Sequence, residues 1–293
     1  MTDIQRWTVG NATVTSVVET EMADLPSELL LPAATAVDIT AQDWLMPDYA
    51  TADGSLLLRI QAFVIDIDDR RVLVDPCVGN DKVRSLPFWH MRSYPFLDDF
   101  AAAGFDPTGI DLVVHTHLHA DHVGWDTYLV DGAWASTFPN ARHLYTQREL
   151  DYRRTQDEPG TEEVFADSIE PIFAAGLADI VAEDEDLGDG LRLAPTPGHT
   201  PGHTSLWIHS GGERAVVTGD LIHHPVQCAH PEWAEIADAD IEQARQTRHA
   251  FLRDVALGRS LVFGTHFPSS PAGHVVPYED AWRFAPVAAL SVG

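Results

Sequence analysis

With 293 residues and 45% apolar side chains, the chain is long enough to enclose a large core. Lys plus Arg number 18 against 45 Asp plus Glu, a net charge of -27, which argues against nucleic-acid backbones and anionic membranes as partners. Cys77 and Cys228 are the only cysteines, too few for a disulfide framework, and both are expected to be reduced.

In chain order, residues 7–19 alternate weakly around Val9, Val14 and Val17-Val18 and read as one or two opening strands. Periodicity fades over residues 20–52. Apolar beads there, Leu29-Leu30-Leu31 and Trp44-Leu45-Met46, predict an N-terminal arm that packs over a pocket mouth or on a partner subunit. The second option is the basis for expecting a homodimer. Residues 56–67 and 71–75 flank Asp68-Asp69 and read as a hairpin. Phe88, Trp89, Met91, Tyr94 and Phe96 crowd the next loop, as a pocket wall, an interface or cover for a sheet edge. Residues 96–104 predict a helix stopped by Gly104, and 110–114 a buried strand.

That strand runs into His115-Thr116-His117-Leu118-His119-Ala120-Asp121-His122, four histidines and an aspartate within eight residues. A polar cluster at the end of a core strand is a usual place for a site. Imidazole and carboxylate suit Zn²⁺ and related first-row ions. His117 and His119, two apart, can project the same way from an extended backbone. Trp125, Tyr128 and Trp134 follow directly and are expected to line the site.

Residues 141–146 predict a strand and 147–156 a short helix; 160–178 fit amphipathic helices broken at Pro171. Acid-rich residues 181–193 read as paired strands joined by a turn. Pro197-Gly198-His199 reads as a turn presenting one imidazole, with strands at 205–209 and 214–218 beyond it. Residues 232–257 have helical spacing with Gly258 as the cap, 261–264 form a short strand, and the tail returns as a last strand and a short C-terminal element. Residues 1–10 carry no basic-then-apolar leader, and no apolar stretch is long enough to cross a bilayer, so a soluble cytoplasmic protein without membrane partners is expected.

His117-x-His119-x-Asp121-His122 resembles the signature of the metallo-β-lactamase-fold hydrolases. Pro197-Gly198-His199-Thr200-Pro201-Gly202-His203, Thr218-Gly219-Asp220 and Gly264-Thr265-His266 follow in the family's order, over most of the chain. The resemblance implies an α+β, four-layer αββα sandwich: two mixed sheets face to face, helices outside, metals at one edge. One such domain would span residues 1–293, with the arm 20–52 and an insertion at 147–178. It assigns His117, His119 and His199 to one metal, Asp121, His122 and His266 to a second, and Asp220 to a bridge between them. Asp75 and His203 resemble residues that support such ligands.

The chemistry of two divalent ions agrees with that assignment. Cations about 3.5–4 Å apart need anionic ligands between them, and a bridging water becomes a hydroxide that attacks an electrophilic carbonyl or phosphorus. Zinc is the first expectation, with Mn²⁺, Co²⁺ or Fe²⁺ as alternatives. Asp121 and Asp220 are expected to orient that water or take its proton. Retention of Asp121 resembles the dinuclear branch of lactonases and organophosphate hydrolases rather than β-lactamases proper, and the acidity disfavours a nuclease. Lactonases of this kind often carry a tyrosine three residues after the bridging aspartate; here His223 stands there and is expected to act on substrate without binding metal. The expected activity is hydrolysis of a small-molecule ester or lactone. A phosphotriester hydrolase and a metal-binding scaffold without catalysis are the alternatives.

Overall fold

Residues 4–157 and 160–290 are described by a computed structural model. The ends of the 1–293 span, and positions 158–159 within the 147–178 stretch, lie outside the described residues. The first sheet takes β1 (Gln5–Val9), β2 (Ala12–Leu25), β3 (Leu56–Ile67), β4 (Arg70–Val74) and β5 (Leu112–Val114) in succession. A side hairpin, β6 (Thr127–Val130) and β7 (Ala133–Ser136), intervenes before β8 (Arg142–Thr146) and β9 (Ala178–Val181) complete that sheet. The second sheet runs in chain order through β10 (Asp186–Gly188), β11 (Leu191–Pro195), β12 (Thr204–Ser210), β13 (Glu213–Val217), β14 (Leu261–Phe263), β15 (Ala272–Tyr278) and β16 (Ala281–Pro286).

The two sheets share one core. Val14, Phe63, Val74 and Val114 of the first pack against Leu193, Ile208, Val217 and Phe263 of the second. Alternate residues face outward, as the period of two requires. Val64, Leu73 and Val113 bury the Phe96–Ala102 helix through Phe96 and Phe100. Val216 and Val262 bury the Ile241–Gly258 helix through Phe251, Leu252 and Val255. Helices therefore cover both outer faces, giving the expected αββα layering.

Strand direction determines where the site falls. β4, β5, β8 and β9 are mutually parallel, and so are β13 and β14. The chain leaves β4 at Asp75, β5 at His115, β13 at Thr218 and β14 at Gly264. These ends meet across the sandwich: Thr204 N–H donates to Thr116 O at 2.9 Å, and Arg59 N–H to His266 O at 3.1 Å.

Several local expectations change. Residues 181–193 do not pair with one another throughout. β9 belongs to the first sheet and β10–β11 to the second, so the acidic segment is the crossover between sheets. The long helix begins at Ile241 rather than near residue 232, because Asp240 caps it by accepting from Gln243 N–H at 3.0 Å. Its cap is Arg259, at φ 50°, and Gly258 is the last helical residue. The β6–β7 hairpin turns on Asp131-Gly132, both at positive φ, a two-residue signal that the aromatic reading overlooked. The tail forms a strand as expected, and the short C-terminal element is a second strand paired with it. In the arm, Leu31, Ala34, Ile39, Leu45 and Tyr49 are buried against Ile222, Val226, Trp233 and Phe284 of the same chain.

Candidate metal centre

Seven side chains from four segments converge where these strand ends meet. Donor atoms of His117, His119, His199 and Asp220 lie within 4.8 Å of one another, as do those of Asp121, His122 and His266. Asp220 stands between the two groups. Its Oδ2 is 3.5 Å from His117 Nε2, 3.3 Å from His122 Nε2 and 3.4 Å from His199 Nε2, while Oδ1 is 3.0 Å from His266 Nε2. Asp121 Oδ2 is 3.6 Å from His122 Nε2 and 3.7 Å from His266 Nε2.

Hydrogen bonding on the far side of each ring fixes which nitrogen faces inward. His117 Nδ1 donates to Thr116 Oγ1 at 3.1 Å, since that hydroxyl itself donates to Asp75. His122 Nδ1 donates to Asp75 Oδ2 at 3.0 Å, His199 Nδ1 to Asp238 Oδ1 at 3.2 Å, and His266 Nδ1 to Arg59 O at 3.1 Å. With the proton held outside, each Nε2 turns a bare lone pair to the centre. His119 turns Nδ1 inward instead, 2.9 Å from both His117 Nε2 and His199 Nε2. Lone pairs that close repel unless a cation lies between them. His122 Nε2 and Asp220 Oδ1 are also buried and make no hydrogen bond. The donor set thus fits divalent cations of the zinc type.

Electrostatics divide the rings. Burial, reinforced by neighbouring imidazoles, holds His117 and His119 well below the usual histidine range, so both are neutral. Burial alone would raise Asp220, but His122, His266, His223 and His117 around it outweigh that and keep its carboxyl well below the usual range. Burial likewise opposes charge on His122, His199 and His266, and adjoining carboxylates overcome it and raise all three, a demand for positive charge that divalent ions would meet in place of protons.

Local backbone chemistry supports this ring of side chains. Asp75 accepts from Thr116 N–H at 2.8 Å and Thr116 Oγ1 at 2.7 Å besides His122, so one carboxylate orders two turns of the histidine loop. Gly219 at φ 56° lets the chain pass where a Cβ would lie 2.6 Å from His203 Nε2 and from Thr116 Oγ1. His203 Nε2 accepts from Asp220 N–H at 2.9 Å, and its Nδ1 donates to Thr196 Oγ1 at 2.8 Å.

His223 and His224 are both buried. His224 Nε2 donates to Tyr49 O at 2.9 Å and so ties the arm to the Asp220 loop. His223 Nε2 lies 3.1 Å from Asp220 Oδ2 and 3.9 Å from Glu235 Oε2, while its Nδ1 makes no hydrogen bond. No acceptor holds a proton on Nδ1, so the proton belongs on Nε2. This separates His223 from the four rings whose Nε2 is bare. Trp125 does not line the centre. Its indole stacks on Phe96 at 5.3 Å in the outer core and donates to Glu19 at 2.6 Å.

Sequence reasoning missed the acids around the rim: Glu19, Asp126, Glu149, Glu235 and Asp238 are all buried. Asp238 also faces Arg248 Nη2 at 3.3 Å, and Arg248 donates to the carbonyls of Leu221, Pro231 and Trp233, tying the Asp220 turn to the segment before the long helix. The usable signal was Arg248 itself, an arginine on the apolar face of that helix.

The profile of the metallo-beta-lactamase superfamily matches residues 57–266, and the chain belongs to that superfamily. An N-acyl homoserine lactonase, AttM of Rhizobium radiobacter, is 34% identical over 116 residues, 38% of this chain and 41% of that protein. The match therefore spans about two fifths of that lactonase. A probable metallo-hydrolase of Mycobacterium tuberculosis is 30% identical over 184 residues, 58% of each chain. Among solved structures, hydrolase AbOPH of the beta lactamase superfamily has a TM-score of 0.82 at 24% identity, with 98% of each chain covered. AidC, a dizinc quorum-quenching lactonase in complex with a product, has a TM-score of 0.80 at 20% identity, again with 98% of each covered. These two likenesses concern the fold. Among the described residues, no helix is long and apolar enough to cross a membrane.

Proposed function

We propose that this protein is a dinuclear metal-dependent hydrolase that opens a small, uncharged lactone or ester. The observation that carries the reading is the set of inward-turned histidine nitrogens around Asp220, whose outer nitrogens are held by hydrogen bonds. His117, His119 and His199 would hold one divalent ion, Asp121, His122 and His266 the other, and Asp220 would bridge them. Two such ions, zinc first among the candidates, supply Lewis acidity and an acidified water when bound. Lactonases among the relatives support a lactone of the N-acyl homoserine kind as the first substrate class to try.

The chain's own groups account for the protons. Water adds to the carbonyl carbon, and Asp121 or Asp220 accepts the proton it loses. The C–O bond to the leaving oxygen then breaks. His223 donates its Nε2 proton to that oxygen and recovers one through Asp220, 3.1 Å away. The reaction consumes one water and leaves a carboxylic acid and an alcohol, on one molecule if the substrate is a ring.

Lactones, aryl esters, thioesters, phosphotriesters and β-lactams should be assayed with full-length protein and with Asp220→Ala. The reading predicts lactone or ester turnover that falls at least ~100-fold in the folded variant, about 2.7 kcal/mol of transition-state stabilisation. Turnover of phosphotriesters alone would reassign the bond, and none at all would leave a metal-binding scaffold.

A further inference from the structure

Gln147–Thr155 is the helix that follows β8. Its first residues, Thr146-Gln147-Arg148-Glu149, form the Thr-x-x-Glu pattern of a capping box, in which the two side chains satisfy the helix's own free N–H groups. Here neither does. Thr146 makes no side-chain cap, and its hydroxyl donates to Gly202 O at 3.3 Å. Glu149, 2% exposed, accepts from Leu118 N–H at 3.1 Å through one oxygen and from Thr200 Oγ1 at 2.7 Å through the other. Leu118 lies between His117 and His119, and Thr200 follows His199. Gly202 packs so closely on this turn that a Cβ would lie 2.4 Å from Glu149 N.

We propose that Glu149 is the positioning residue of the first metal site, its single carboxylate fixing the spacing between the His117–His119 loop and the His199 loop. The inference rests on the metal reading above and adds a residue outside the ligand set. It follows from a local rule that the sequence meets and the fold declines to use. A helix start is normally stabilised by its cap. That stabilisation is forgone where both side chains are needed by the two segments that carry all three histidines of one site; Asp121 and His122 of the other lie beyond Leu118, on the short Ala120–Val123 helix. Partners that orient ligands in this way typically change metal affinity 10–100-fold when removed.

The test is chelator competition on the zinc-loaded full chain, reading release of each of the two ions, for wild type, Glu149→Ala, Glu149→Gln and Thr200→Val. Glu149→Ala should release one ion at a chelator concentration at least ~10-fold lower and leave the other unchanged. Glu149→Gln should behave as wild type, because its amide oxygen can accept from Leu118 N–H while its NH₂ donates to Thr200 Oγ1. Thr200→Val, which removes one bond and little volume, should weaken the same ion and decides alone if Glu149→Ala does not fold. Equal weakening of both ions, unchanged affinity in Glu149→Ala and Thr200→Val, or a Gln variant as weak as Ala overturns the proposal. A wild type that binds no ion overturns the metal reading along with it.

Discussion

At the scale of single residues, the centre is defined by where protons are held. Four rings place Nδ1–H on Thr116, Asp75, Asp238 and the Arg59 carbonyl, and each thereby keeps Nε2 free. His223 Nδ1 has no such partner, which places its proton on Nε2, where it can serve as a donor. His223→Ala should therefore keep about two metal ions per chain while kcat/KM falls at least ~10-fold, about 1.4 kcal/mol. Loss of an ion in that variant would instead make His223 a ligand. Glu19 is a second residue with a measurable signature. Burial pushes its carboxyl up to about 7, against the pull of N–H donors from Val78, Gly79 and Trp125. Its folded pKa lies above the unfolded value of 4.5. Its contribution to stability is thus complete below pH 4.5 and is lost as pH rises through about 7. Denaturation of wild type and Glu19→Gln at pH 4.5 and 8 should show the wild-type advantage shrinking by up to ~3 kcal/mol. A difference independent of pH would contradict this.

At the scale of elements, the site hangs from strand ends whose own anchors are buried. His115 closes β5 and donates from Nδ1 to Leu144 O at 3.0 Å and from Nε2 to Asp126 at 2.9 Å. With both nitrogens donating, the ring is an imidazolium, and Asp126 also accepts from His143 Nδ1 at 3.0 Å and Tyr145 OH at 3.1 Å. Asp126→Asn leaves that cation without its counter-ion in the core, and should cost about 3–5 kcal/mol in denaturant unfolding of the metal-loaded protein. A loss below ~1 kcal/mol would mean that the ring is neutral. The strands themselves were readable. β3, β4, β5 and β8 follow from apolar runs bounded by turn residues, because a buried strand has few other ways to satisfy its backbone. The start of the long helix was less so: residues 232–240 have helical composition, yet Asp240 takes the cap and Glu235 and Asp238 turn inward to His199. That choice depends on a histidine some forty residues earlier, which local periodicity does not encode.

At the scale of the whole molecule, the convergence of the histidine and aspartate motifs was the most legible part of the chain, since they follow strand ends of the two sheets. The supporting acids were the least legible. Glu19 and Glu149 belong to a strand and a helix start that look ordinary in sequence, and only the packing of two sheets brings them under the histidine loops. The arm shows the same limit. Its apolar beads were readable, but their destination, against Val226 and Phe284, is a tertiary fact. Its burial within the chain removes the need for a partner to cover Leu31 and Leu45. The most direct test of the account is elemental analysis of full-length protein purified without chelator, followed by removal and return of the metal during a lactone assay. The account predicts about two divalent ions per chain, loss of hydrolysis on stripping and recovery on reloading. A chain that holds no such ion, or hydrolyses equally well without it, would contradict it.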